Sequence, residues 1–291
     1  MKRTKRVLGL ALAAVMCMGL LAGCGGTPSN SDTADETSGT ETSEKVLNIA
    51  TIGETTTLSP LYMIADNRPT QKLLYEGLVK YVDGEIQPVL AEDWELSEDG
   101  TQLTFYLRQG VTFHDGEPFN AEAAIANIES WHINPSFASL PGVVNYTNIE
   151  AVDEYTIRLT YDTPYFAYIN DFCWPDVCTM ISPKLITQGD FQTVNGYAGT
   201  GPYIYDEYVA GQYTTFVRNE NYWGEQPYYD KIVAKYIPDN ASRVQALQTG
   251  EIDLIYGSAE LSYEDYNQAT AIEGIEGKFA PPGSTIRNII L

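Results

Sequence analysis

The chain alternates short apolar strand patterns with short helical ones. Val46-Leu-Asn-Ile-Ala50 is nearly continuous in apolar residues and predicts a buried strand. Leu73, Leu74, Leu78 and Val79 place an apolar face on Gln71–Lys80, which reads as a short helix. After the turn residues Ser97-Glu-Asp-Gly100, Leu103, Phe105 and Leu107 alternate with Thr104, Tyr106 and Arg108. That period of two is a half-buried strand, and Ile157, Leu159 and Tyr161 repeat it. Asn120 is placed to cap a helix whose apolar face is Ala121, Ala124, Ile125 and Ile128, with Glu122 in the first turn. A second helix begins near Asn240, carries Val244 and Leu247, and stops at Gly250. Ile252 to Tyr256 then reads as a strand, and Thr285 to Leu291 as the beginning of another. Interleaved strands and helices without an internal repeat give a mixed α/β class.

Two segments fall outside this pattern. Gly25 to about Glu44 is rich in Gly, Ser, Thr, Asp and Glu and has no aromatic residue, so it reads as a flexible acidic tether. Before it, Lys2, Arg3, Lys5 and Arg6 precede an uncharged apolar run from Val7 to Leu21, closed by Leu21-Ala-Gly-Cys24. The run is short of the ~20 apolar residues a membrane span needs. It resembles a bacterial lipoprotein signal, which implies cleavage before Cys24, a lipid on its thiol and an extracytoplasmic location anchored to the cell membrane.

Charge narrows the partners. Residues 24–291 carry 13 basic and 39 acidic residues, a net charge of −26. Such a chain has little with which to displace counterions from nucleic acid, and flat adsorption to an anionic membrane is disfavoured, leaving anchorage to the lipid. The 21 Tyr and 4 Trp are compatible with ligand contact as well as with core packing. Cys173 and Cys178 in Cys-Trp-Pro-Asp-Val-Cys could form a disulfide or remain separate thiols. His114 and His132 sit at ligand spacing neither from these cysteines nor from each other, so no metal site and no cofactor is expected. No nucleophile–base motif occurs, which weighs against an exported hydrolase and for a non-enzymatic protein.

Two long stretches carry a family resemblance. The first is Leu90-Ala-Glu-Asp-Trp94-Glu-Leu-Ser-Glu-Asp-Gly100 with Thr104-Phe-Tyr-Leu-Arg108-Gln-Gly-Val-Thr-Phe-His114-Asp-Gly116-Glu-Pro118-Phe. The second is Gly199-Thr-Gly-Pro-Tyr203, Arg218-Asn-Glu-Asn-Tyr-Trp223-Gly, Ile237-Pro-Asp and Thr249-Gly-Glu-Ile-Asp253-Leu. In this order they resemble the family 5 extracytoplasmic solute-binding proteins of ABC importers, the dipeptide-, oligopeptide- and nickel-binding lipoproteins. Read physically, most of these motifs are scaffold: Trp94, Phe105 and Phe113 suit the core, Asp115-Gly116 a turn, Arg108 and His114 structural hydrogen bonds, and Thr200-Gly201-Pro202 a chain crossing between sub-regions.

The resemblance implies a type II periplasmic-binding-protein-like fold of two lobes closing on a ligand. It maps residues 1–23 to the signal, 24–44 to the tether, 45–75 with 200–283 to the main sub-region of lobe I, and 76–199 to an inserted sub-region. Residues 284–291 would begin the hinge, so the chain is expected to be a fragment, chiefly lobe I, lacking the second lobe. The resemblance implies ligand contact at Tyr62, Met63, Asn67 and Arg68, in the loop after the first strand, and at Trp174 and Asp176. It implies a small peptide or peptide-like ligand handed to ABC permease and ATPase subunits, with a nickel chelate as the alternative. A sensor or adaptor built on the same fold stays open. Asp176 favours a cationic group such as a peptide amine over a carboxylate-rich chelate.

Overall fold

A computed structural model describes residues 44–61, 68–174, 178–186, 196–256 and 261–278. The described strands form three sheets. The five-stranded sheet contains β1 (Val46–Thr51), β8 (Tyr203–Val209), β9 (Tyr213–Arg218), β10 (Lys231–Tyr236) and β11 (Leu254–Ile255), in the order β11-β1-β10-β9-β8. β1 runs parallel to β10 and β11, whereas β10–β9 and β9–β8 are antiparallel. β1 is covered on both faces, which explains its apolar run. Ile49 packs into a cluster with Leu58, Leu74, Tyr203 and Phe216, while Ala50 packs with Ala246 and Ile252.

The four-stranded antiparallel sheet holds β4 (Ala91–Leu96), β5 (Gln102–Leu107), β6 (Tyr146–Asp153) and β7 (Thr156–Tyr161), in the order β4-β5-β7-β6. The expected alternation is present: Leu103, Phe105, Leu107, Ile157, Leu159 and Tyr161 are buried. They pack with residues of α2 (Ala121–His132), which Asn120 caps by accepting from the Ala123 N–H at 3.0 Å. A short hairpin, β2 (Val79–Val82) and β3 (Glu85–Pro88), turns at Asp83-Gly84, both with positive φ.

The helix expected over 71–80 is displaced. It is α1 (Arg68–Leu74), with Pro69 tolerated in its first turn, and the chain then straightens into β2. Gly77 is the reason: it bridges to Thr179, and a Cβ there would stand 2.7 Å from the Cys178 carbonyl oxygen. Leu78 and Val79 are buried from an extended segment instead.

Short helices α3 (Pro141–Val144) and α4 (Tyr168–Phe172) close one side of the four-stranded sheet. α5 (Asn240–Gln248), capped by Asp239, packs beside β11 and α6 (Tyr263–Thr270), the latter capped by Ser262. Only two residues of the expected 252–256 strand pair with β1. The strand expected over 285–291 lies outside the described residues, as do the signal and nearly all of the tether. No helix among the described residues is long and apolar enough to cross a membrane.

Candidate functional site

The region best defined by geometry is where the chain crosses between the two larger sheets. Glu76 is its centre. One carboxylate oxygen accepts from the Tyr222 hydroxyl at 2.7 Å; the other accepts from the Thr200 hydroxyl at 2.9 Å and the Trp223 indole N–H at 2.7 Å. Burial pushes the Glu76 carboxyl above the usual range, against these three hydrogen bonds and the charge of Lys80, which lower it. Arg108 lies over the Trp223 ring at 4.4 Å, donates to the Val89 carbonyl and pairs with Glu92 at 3.1 Å.

Glycines let the crossing strands touch. A Cβ on Gly199 would overlap the Leu74 carbonyl oxygen, and one on Gly201 would stand 2.6 Å from the Leu73 carbonyl oxygen. The Gly201 N–H donates to the Leu74 carbonyl at 2.9 Å, and the Gly201 carbonyl accepts from Asn219 at 3.1 Å. His114 completes the joint. Its Nδ1 accepts from the Gly199 N–H at 3.3 Å and its Nε2 meets the Gly201 carbonyl at 2.9 Å, the pattern of a neutral ring protonated at Nε2. Burial lowers the His114 pKa; the bond to Gly201 opposes it. All side-chain donors to Glu76 are neutral, and His114 is spent on backbone groups, so the cluster is a brace rather than a reactive centre.

The connection after β1 is fixed at its stem. The Glu54 carboxylate accepts from the Tyr208 hydroxyl and the Gly211 N–H, both at 2.6 Å, and these bonds hold its pKa down. Leu58, Ser59 and Leu61 are buried. Gln71 Nε2 donates to the Ser59 carbonyl at 2.8 Å, and Asn134 Nδ2 to the Leu61 carbonyl at 3.0 Å.

Of the residues singled out by sequence, Tyr62, Met63, Asn67, Asp176 and Cys24 lie outside the described residues. Arg68 opens α1, its side chain also undescribed. Trp174 follows α4 and is 45% exposed. Its neighbour Cys173 shares a hydrophobic cluster with Leu61 and Cys178. The cysteines are separate buried thiols: Cys173 Sγ contacts the Ile169 carbonyl and Cys178 Sγ that of Asp171. Burial raises the Cys173 thiol to about 11, and burial raises Cys178 as well. Among the described residues no three His, Cys, Asp or Glu side chains gather as a metal-ligand set.

Sequence reasoning did not single out Glu76, Gln71 or Asn134. Glu76 had a usable signal, since a carboxylate inside Leu73-Leu-Tyr-Glu-Gly-Leu78 must either break the apolar face or find buried donors. For Gln71 and Asn134 no such local signal exists, because their partners are carbonyls 12 and 73 residues away.

The model for bacterial extracellular solute-binding proteins, family 5 Middle, matches residues 85–290. The nickel-binding periplasmic protein of Escherichia coli is 38% identical over 209 residues, 70% of this chain and 40% of that protein. The glutathione-binding protein GsiB of Pectobacterium atrosepticum is 34% identical over 219 residues, 72% of this chain and 41% of that protein. The structure of NikA from Brucella suis in complex with Fe(III)-EDTA superposes with a TM-score of 0.71 at 33% identity, covering 77% of this chain and 46% of that one. The chain thus spans under half the length of these relatives. The architecture is that of type II periplasmic binding proteins, and the chain belongs to the family 5 bacterial extracellular solute-binding proteins.

Proposed function

We propose that this chain is the solute-capturing part of a lipid-anchored, extracytoplasmic component of an ABC importer. The match of residues 85–290 to the family carries this reading. The lipid on Cys24 holds the protein at the membrane, and the captured solute passes to the permease and ATPase subunits. The ligand is a peptide or peptide-like solute, gripped on this side by Tyr62, Met63, Asn67, Arg68, Trp174 and Asp176. The acid side chain of Asp176 and the net charge of −26 over residues 24–291 favour a ligand with a cationic end. The 34% identity to a glutathione-binding relative points the same way, because glutathione is itself a small peptide.

A second reading has its own support: at 38% identity, a nickel-binding relative matches over a similar share of the chain. A thermal-shift screen of a full-length protein that carries both lobes, against di- to pentapeptides and against nickel–histidine, separates the two. The expected result is a raised midpoint with peptides. Asp176→Asn is expected to weaken peptide binding by about 1–3 kcal/mol, the cost of losing a charged hydrogen-bond partner. Stabilisation by nickel–histidine alone, with Asp176→Asn neutral or favourable, would establish the second reading instead.

A further inference from the structure

β1 lies between two parallel neighbours, β10 on one side and β11 on the other. Both of its faces meet apolar clusters, Ile49 on one and Ala50 on the other. Its hydrophobic pattern therefore does not tell the two faces apart, although a slip of one residue would exchange them. Two aspartates supply what the pattern lacks. Each stands immediately before a flanking strand and grips one residue in both directions. Asp230, before β10, donates its N–H to the Lys45 carbonyl at 2.8 Å, and its carboxylate accepts from the Lys45 N–H at 2.7 Å. Asp253, before β11, donates to the Asn48 carbonyl at 2.8 Å and accepts from the Asn48 N–H at 2.8 Å. The Asn48 side-chain amide reaches the same carboxylate oxygen at 3.2 Å. Asp230 is in turn held by an ion pair with Arg218 of β9, and the Lys45 ammonium lies over the Tyr228 ring at 4.1 Å.

We propose that Asp230 and Asp253 are a pair of latches that pin β1 between β10 and β11 and make Lys45 the fixed end-stop of the five-stranded sheet. Each carboxylate stands in for a strand carbonyl where the ladder to that neighbour begins, at Val46–Lys231 and at Ile49–Leu254. The grips come from opposite neighbours, so a slipped or peeled β1 gives up both. Fraying that reaches Lys45 from the chain before it stops there, because the Asp230 side of the latch is tied through Arg218 to a third strand. Asp253, within the recognised stretch Thr249–Leu254, thereby holds the sheet together rather than meeting a solute. The inference depends neither on the identity of the ligand nor on the lipid anchor.

The test is hydrogen exchange by mass spectrometry on the whole chain, read over 45–51 and, as the reference, over β4–β7. Asp230→Ala and Asp253→Ala each remove one carboxylate, and Asp253→Asn keeps an oxygen that can accept from the Asn48 N–H. Both alanine variants are expected to speed exchange over 45–51 roughly tenfold or more, the loss of a hydrogen bond to a charged group, with β4–β7 unchanged. Asp253→Asn is expected to stay within about threefold of the wild type, because a neutral acceptor keeps most of the bond. Unchanged exchange over 45–51 in both alanine variants overturns the latches. Equal acceleration of β4–β7 marks a general loss of stability and overturns them too. An Asp253→Asn variant as fast as Asp253→Ala shows that charge, not the acceptor to β1, is at work, and overturns the assignment of Asp253.

Discussion

At the scale of single residues, the best-recognised motifs serve the scaffold. Glu76 carries an unfavourable burial offset by three neutral donors, so replacing it by an isostere is costly. Glu76→Gln turns one acceptor into a donor facing either Tyr222 or the Thr200–Trp223 pair. It is expected to lower stability by about 1–3 kcal/mol in urea unfolding, the cost of a buried unsatisfied group. The pH response of the joint follows from two shifts of opposite sign. The folded His114 pKa lies below its ordinary value of 6.5, so the unfolded chain binds the extra proton more readily. That contribution is present above pH 6.5 and is lost as pH falls through the folded value. The folded Glu76 pKa lies above 4.5, so its share runs the other way: it favours the fold at low pH and is lost as pH rises from 4.5 through the folded value. His114→Asn is therefore expected to flatten the acid-side loss of stability just below pH 6.5, measured as unfolding midpoints across pH.

At the scale of elements, backbone proximity decides what the crossing tolerates. Gly199 and Gly201 lie against the carbonyls that end α1, and backbone cannot rotate away as a side chain can. Gly199→Ala or Gly201→Ala is expected to cost at or above ~3 kcal/mol, the upper end of ordinary overpacking, read as a lost or lowered unfolding transition. Gly211 is the control: its φ is +70° and nothing lies within 4 Å of a Cβ there. Gly211→Ala should cost only about 1–2 kcal/mol, the strain of a left-handed residue. The early end of α1 belongs to the same scale. Periodicity extended that helix to residue 80, but Gly77 must approach the Cys178 carbonyl, and that pairing ends it.

At the scale of the whole molecule, the two larger sheets share one brace at Glu76, and the membrane attachment proposed for this acidic chain is a covalent lipid on Cys24. Cys24→Ala is expected to move the exported protein from the membrane to the soluble fraction, checked by fractionation and blotting. Retention of the variant on membranes would remove the anchor from the proposed function.

Local pattern by itself determined the strands around Leu103–Leu107 and Ile157–Tyr161, the Asn120 cap and the turn at Gly100. These follow from side-chain periodicity and capping chemistry readable within a few residues, whereas the solute-binding family was reached through resemblance, from separated motifs in order between Leu90 and Leu254. Only the tertiary structure decided that Glu76 gathers Thr200, Tyr222 and Trp223, that His114 serves the carbonyl and N–H of two crossing glycines, and that Gln71 and Asn134 supply the buried Ser59 and Leu61 carbonyls. Those partners lie 12 to 147 residues apart in sequence. A hydrogen bond at that separation leaves no period in the chain, because its geometry exists only once both sheets are in place.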